Sequence, residues 1–260
     1  MKRYPELVSD LFCSKGKMEI KVDNSEDLNK LIKALANEIV DANICHRLYC
    51  DIISSIKDNE EVFNESNTFW NFVFLSLDDA RIIRLCRIFD QESKALNLFN
   101  FLETIQANIN LFEEEHFRKR LKENTFVELL AKENRLPDKD QLEKDIRFAC
   151  KKNPLVKKLI RWRNTIIAHL GAKVSLGKDK ILSDNPLTKE EIENLLDESF
   201  VIFNRYSSLF NASTYSRKVV GHDDFKYLLE FIKLGLKKWD EDIENQNKEI
   251  NKNEQNEGIN

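Results

Sequence analysis

Residues 67–92 read NTFWNFVFLSLDDARIIRLCRIFDQE. Apolar side chains dominate the run, and neither Gly nor Pro interrupts it. It predicts a long, apolar helix placed centrally in the fold. Upstream, NSED makes an N-terminal cap for a helix over 24–58. There Leu28, Leu31, Ile32, Leu35, Ile39, Ala42, Leu48, Ile52 and Ile56 follow helical spacing. Downstream, 95–121 predicts a third helix and 125–134 a short extra one. RLPDKD at 135–140 turns into a helix over 138–151, and Asn153-Pro154 restarts a helix over 154–170, because proline suits a first turn. LGAKVSLGKDKILSDNP is loop-like, with KVSL and KILS as the strands of a small β-hairpin insertion. Thr188 and Glu191 form a capping box for the next helix, and the last helix spans about 222–242. The fold class is all-α, with an entry segment at 1–23, one helical domain at 24–242, and a polar, disordered tail at 243–260.

Composition agrees. Only 6 Gly and 4 Pro occur in 260 residues, and 33 % of side chains are charged, as in a charge-coated helical protein. The five cysteines, Cys13, Cys45, Cys50, Cys86 and Cys150, form no C-x-x-C and suggest no disulfide framework. Thiols, the lack of a membrane-length apolar run, and an N-terminus too polar for a signal peptide together predict a cytoplasmic protein with no membrane partner. Cys45, His46 and Cys50 point apart on a helix, so no metal site is expected. No phosphate-cradling Gly loop, G-x-S-x-G or H-E-x-x-H occurs, and no cofactor is expected.

Net charge is -4, yet between Ile146 and Lys178 there is no Asp or Glu. Arg147, Lys151, Lys152, Lys157, Lys158, Arg161, Arg163, Lys173 and Lys178 fall in that stretch. Such a local reversal of sign either balances acidic neighbours in the fold or attracts phosphates. Lys157, Lys158 and Arg161 are the candidate contacts to a phosphate backbone.

The same stretch holds RWRNTIIAHLGAK, residues 161–173. Leu155, Leu159, Trp162, Ile166 and His169 line one helical stripe. On an ideal helix Arg163 and His169 lie about 120° apart, so one helix does not aim both at one atom. Two copies packed about a two-fold axis along that stripe would, which predicts a homodimer with a shared cleft. On this seam Trp162 is better suited to packing than to stacking a base.

Arg163-Asn164-x4-His169 resembles the R-x(4–6)-H motif of the HEPN superfamily, in which a polar residue follows the Arg. With FWNFVFLSLDDARIIRLCRIFDQE it is similar to the AbiU-like abortive-infection branch. The resemblance covers roughly residues 25–210 and implies a HEPN-like helical bundle, here with additional C-terminal helices. Arg217 and His222 repeat the spacing, but that copy contains Gly and has no Asn after the Arg. Leu170 and Gly171 follow His169, so the H-x-Y extension of some HEPN toxins is missing.

The resemblance implies metal-independent RNA cleavage in anti-phage defence or a toxin-like system, with a regulatory or antitoxin partner. The catalytic candidates suit it. His169 can act as acid or base near neutral pH, and Arg163 can stabilise charge on phosphate. Asn164 can hold a phosphate oxygen or orient Arg163. Products would be a 2′,3′-cyclic phosphate or 3′-phosphate and a 5′-OH. Asp78, on the apolar face of the 67–92 helix, needs a partner, and Arg81 or Arg163 would serve. Asp90 is a weaker candidate on the flank. The other readings are a non-catalytic HEPN module that binds RNA, a nucleotide or a defence partner, and a structural helical protein in which His169 is a satisfied seam residue.

Overall fold

A computed structural model describes residues 20–167, 176 and 184–257. Among them no strand occurs, and no helix is long and apolar enough to cross a membrane. Apart from Leu176, the KVSL and KILS segments lie outside the described residues. The elements are α1 (Ser25–Ser55), α2 (Glu60–Glu65), α3 (Asn67–Ile88), α4 (Leu98–Ala107), α5 (Glu114–Arg120), α6 (Val127–Leu130), α7 (Lys139–Ala149), α8 (Pro154–Trp162), α9 (Lys189–Asn211) and α10 (Phe225–Glu257). A π-helical segment, Arg163–Ile167, follows α8 directly.

The expectation of one domain over 24–242 meets a chain that clusters into two compact units. Unit 1 comprises residues up to Cys45 and Asp79–Lys218, and unit 2 comprises His46–Asp78 and Val219 onward. The core of unit 1 is built on α1, where Leu28, Ile32, Leu35, Ile39 and Ala42 are all essentially buried. Their steps of three and four keep one stripe inward. Against it lie Leu85, Ile88 and Phe89 of the α3 end, Phe101 and Leu102 of α4, and Phe203 and Phe210 of α9. Unit 2 has its own core of Ile52, Val62, Phe63, Trp70, Phe225 and Leu229. Phe63 and Trp70 meet there with ring centroids 4.7 Å apart.

The helix expected over 95–121 is broken. Asn108 leaves helical geometry (φ -128°, ψ 37°), and its amide donates to Thr104 O at 2.8 Å. An Asn side chain that bonds a carbonyl of the preceding turn offers the backbone an alternative to the helix. A 3-10 turn, Ile109–Phe112, and α5 follow. The last helix continues past the expected end near 242 as far as Glu257, through the stretch that composition marks as a disordered tail. Cys45, Cys50 and Cys86 are free thiols.

One buried polar cluster ties α7 to α9. Asp145, 4 % exposed, accepts Tyr206 Oη at 2.7 Å and Gln141 Nε2 at 2.9 Å, and pairs with Arg205. Burial, then the bond to Asp145, pushes the Tyr206 phenol well above its ordinary value. Removing the carboxylate orphans a buried hydroxyl and half of an ion pair. Asp145→Ala is expected to cost about 3 kcal/mol, in line with the loss of one partner of a buried pair. Urea denaturation checks this, and a change under about 0.5 kcal/mol, typical of surface sites, would contradict it.

Candidate functional site

The site is assembled from two chain reversals in unit 1. At the first, Asn153 starts α8: its Oδ1 accepts Leu155 N at 2.9 Å, its Nδ2 donates to Phe148 O at 3.0 Å, and Pro154 fills the first turn. Val156 and Leu159 then face the core, with Leu155 and Ile160 packed on it. The opposite face carries Lys157, Arg161 and Asn164, all exposed and spaced four and three apart. The basic stripe therefore leads along α8 to the motif.

At Arg163 the helix changes type. The segment Arg163–Ile167 is π-helical, a form found mostly as short bulges and often at functional sites. The ideal-helix angle between Arg163 and His169 therefore does not apply. His169 lies outside the described residues, as do the side chains of Ile166 and Ile167.

The second reversal is the end of α3. Asp90 sits two residues beyond Ile88, and its Oδ1 accepts Arg163 Nη1 at 2.7 Å and Gln91 N at 2.7 Å. Arg163 Nε donates to Asn164 Oδ1 at 3.0 Å. Two edges of the guanidinium are thus fixed, and no bond from Nη2 is made to another described residue. Arg163 is 30 % and Asp90 23 % exposed, so the pair is partly open to water. A cavity of about 300 Å³ lies beside Asp90, bounded by Leu35, Glu38, Arg87 and Leu96. Gln91 holds this arrangement: its Nε2 donates to Ala149 O at 3.1 Å, and its Oε1 accepts Lys151 N at 3.0 Å.

Several expected residues are placed differently. The ion-pair partner of Arg163 is Asp90, the weaker candidate in the sequence, and not Asp78. Asp78 and Arg81 are half-buried on α3, on either side of the division between the two units. Leu75, three residues before Asp78 on the same helix, is 60 % exposed, so the face expected to be apolar around Asp78 is partly open to water. Lys158 is engaged by both oxygens of Glu191, at 2.6 and 2.7 Å, and is 15 % exposed. Glu191 also completes the capping box with Thr188 that starts α9. Trp162 donates its indole N–H to Asn185 O at 2.9 Å, and its stripe neighbours Leu155 and Leu159 are used by the core of unit 1. That half of the proposed dimer seam is therefore occupied within the chain. In the second motif copy, Arg217 pairs with Asp197 in unit 1 and His222 with Asp51 in unit 2.

Sequence reasoning missed Gln91 and Cys86. The quoted run RIFDQE contains the first, but nothing local marks its bonds to residues about 60 positions away. Cys86 lies one turn before Asp90 and is 4 % exposed. Among the described residues no group of three His, Cys, Asp or Glu could hold a metal ion.

A family model, AbiU2 of the HEPN group, matches residues 25–241. The chain belongs to the HEPN AbiU2 family. The match spans both units and contains every motif residue named above. No curated protein and no solved structure matches the chain.

The environment of Cys86 gives a titration test. Burial pushes its thiol up to about 12 from an ordinary 9.0, with Arg163 pulling it down and Asp90 pushing it up. Its neutral form favours folding: the contribution is complete below pH 9 and is lost as pH rises toward 12. Folded protein at pH 9 should leave Cys86 unalkylated by iodoacetamide, and urea should expose it. Mass mapping of a fully alkylated Cys86 in the native state at that pH would contradict the buried placement.

Proposed function

We propose that this HEPN AbiU2 protein is a metal-independent endoribonuclease of a cytoplasmic anti-phage defence or toxin-like system. Arg163 stabilises the phosphate, Asn164 orients Arg163, and His169 moves the proton. The observation that carries this reading is the fixed guanidinium of Arg163. It is held by Asp90 and Asn164 at the end of an exposed Lys157–Arg161–Asn164 face. An RNA backbone following that face would reach a cation whose position is set before binding, which lowers the cost of ordering it. The 2′-OH of RNA supplies the nucleophile, so DNA should resist. Of the basic candidates, Lys157 and Arg161 are the contacts we retain. Lys158 belongs to the α8–α9 junction because Glu191 neutralises it. A homodimer that brings two motifs to one cleft, and a regulatory or antitoxin partner, remain part of the proposal.

The Arg163–Asp90 pair also favours a second reading, a non-catalytic module that binds RNA, a nucleotide or a defence partner. A guanidinium already facing a carboxylate has less charge to give a transition state. The two readings separate in one assay. Purified protein is incubated with RNA in EDTA, and product ends are analysed. Wild type is expected to leave 2′,3′-cyclic phosphate or 3′-phosphate and 5′-OH ends, and His169→Ala and Arg163→Ala to lose activity by about 100-fold or more. Binding without cleavage, weakened by Arg163→Ala, would establish the second reading. Equal cleavage by all three proteins would refute the assignment.

The lysines give an independent check. Lys157→Ala should weaken RNA binding and lower the slope of log K against log[salt] by about 0.7, one single-strand phosphate contact. Lys158→Ala should instead lower thermal stability and leave that slope unchanged. Fluorescence anisotropy across a salt series measures the first and calorimetry the second, and an exchange of the two phenotypes would reverse the assignment.

A further inference from the structure

Helix α10 runs well past the core it helps to build. Starting at Phe225, its apolar positions advance by alternating steps of four and three through Leu229, Ile232, Leu236, Trp239 and Ile243. After a polar Gln246 the same rhythm reaches Ile250. This is the seam of a coiled-coil helix, kept in register for more than three heptads. The first four positions are buried in, or packed on, the core of unit 2. The next three apolar ones are not: Trp239 is 63 %, Ile243 44 % and Ile250 55 % exposed. One continuous seam is thus covered along its first half and bare along its second. Where the cover ends, α2 and α10 leave a groove of about 460 Å³ lined by Leu236, Trp239 and Ile243 together with Glu61, Glu65, Asp240, Lys233 and Lys237; Lys233 already meets Glu61 at 3.5 Å, so the acidic excess lies beyond the groove, along the bare seam.

Charge selects the occupant. Between Asp240 and Ile250 there are five acidic side chains, Asp240, Glu241, Asp242, Glu244 and Glu249, against the single base Lys248. The positions that flank the bare seam are Asp240, Asp242, Asn247 and Glu249. Asp242 is met by Lys238 at 2.9 Å, an exposed pair along the same helix that contributes little. In an antiparallel second copy of α10 Asp242 would face Glu249, acid against acid, and in a parallel one it would face the uncharged Asn247, so neither arrangement offers the acids a base. A helix with basic flanks would match them.

We propose that the bare half of α10 is a docking strip for an amphipathic helix with Lys or Arg flanks, supplied by another protein. The incoming helix continues the packing that Leu229, Ile232 and Leu236 begin inside unit 2, seats an apolar side chain beside Trp239, and places its bases against Asp240, Asp242 and Glu249. The strip carries no motif residue, so the inference stands apart from RNA cleavage.

The test uses the full chain and two synthetic peptides of three heptads. Both have Leu at the seam positions; one has Lys and the other Glu at the flanking positions. Binding is read by anisotropy of the labelled peptide. The Lys peptide should bind at least about tenfold more tightly than the Glu peptide, and higher salt should shrink the difference. Trp239→Ala and Ile243→Ala remove exposed side chains and should each weaken the Lys peptide by about tenfold. No binding, equal binding of both peptides, or indifference to both substitutions would overturn the proposal. So would light scattering that finds a dimer of this chain dissolved by Ile243→Ala, because a second copy would then own the strip.

Discussion

Gln91 makes bonds at both ends of its amide to the turn between α7 and α8: Nε2 to Ala149 O and Oε1 from Lys151 N. A side chain satisfied in this way fixes the end of α3 against the start of the basic segment. The same Gln91 donates its own backbone N–H to Asp90 Oδ1, which turns that carboxylate toward Arg163. Asn153, capping α8 within the same turn, sets the direction in which the motif helix leaves. Three polar side chains, all near a helix terminus, therefore decide where the motif arginine points. The apolar core beneath them, Phe89 against Phe148 with centroids 6.3 Å apart, supplies the burial that strengthens their bonds.

Much of this fold is legible in the sequence, and the parts that are not have identifiable causes. The stripe Leu28–Ile32–Leu35–Ile39 marks α1, Asn153-Pro154 marks the start of α8, and Thr188 with Glu191 marks the start of α9, because each is a local pattern with a local physical effect. The break at Asn108 is hidden because it depends on which way one amide turns. The division into two units leaves no mark in composition, since α1 and α3 each contribute residues to both. The continuation of α10 is hidden for another reason: between Glu244 and Glu257 its composition is polar, with Ile250 the one apolar residue.

The candidate site divides along the same line. Lys157, Arg161, Arg163 and Asn164 share a local pattern, and they follow one another along α8 and into the π-helical segment after it. Lys157 and Lys158 are indistinguishable as letters, yet one is exposed and the other is bonded to Glu191, 33 residues away. Asp90 could not be singled out as the partner of Arg163 because the two are separated by 73 residues. The π-helical segment at Arg163–Ile167 has no residue signature either; its wider turn re-aims the side chains that it carries.

The strength of the Arg163–Asp90 pair bears on both functional readings. With the two side chains 30 % and 23 % exposed, the pair is neither a surface contact nor a buried bridge. Exposed pairs contribute roughly 0–1 kcal/mol, and partial burial raises that only modestly once solvent screening is counted. A charge-assisted bond from the guanidinium to a phosphate oxygen lies in the range of about 1.5–3 kcal/mol. The Arg163–Asp90 bond is itself charge-assisted, so a phosphate would compete with Asp90 on similar terms. Under the proposed readings Asp90 therefore serves to place Arg163 before RNA arrives. No described residue bonds Nη2, so under the same readings that edge is where a phosphate would join Asp90 on the guanidinium and not displace it.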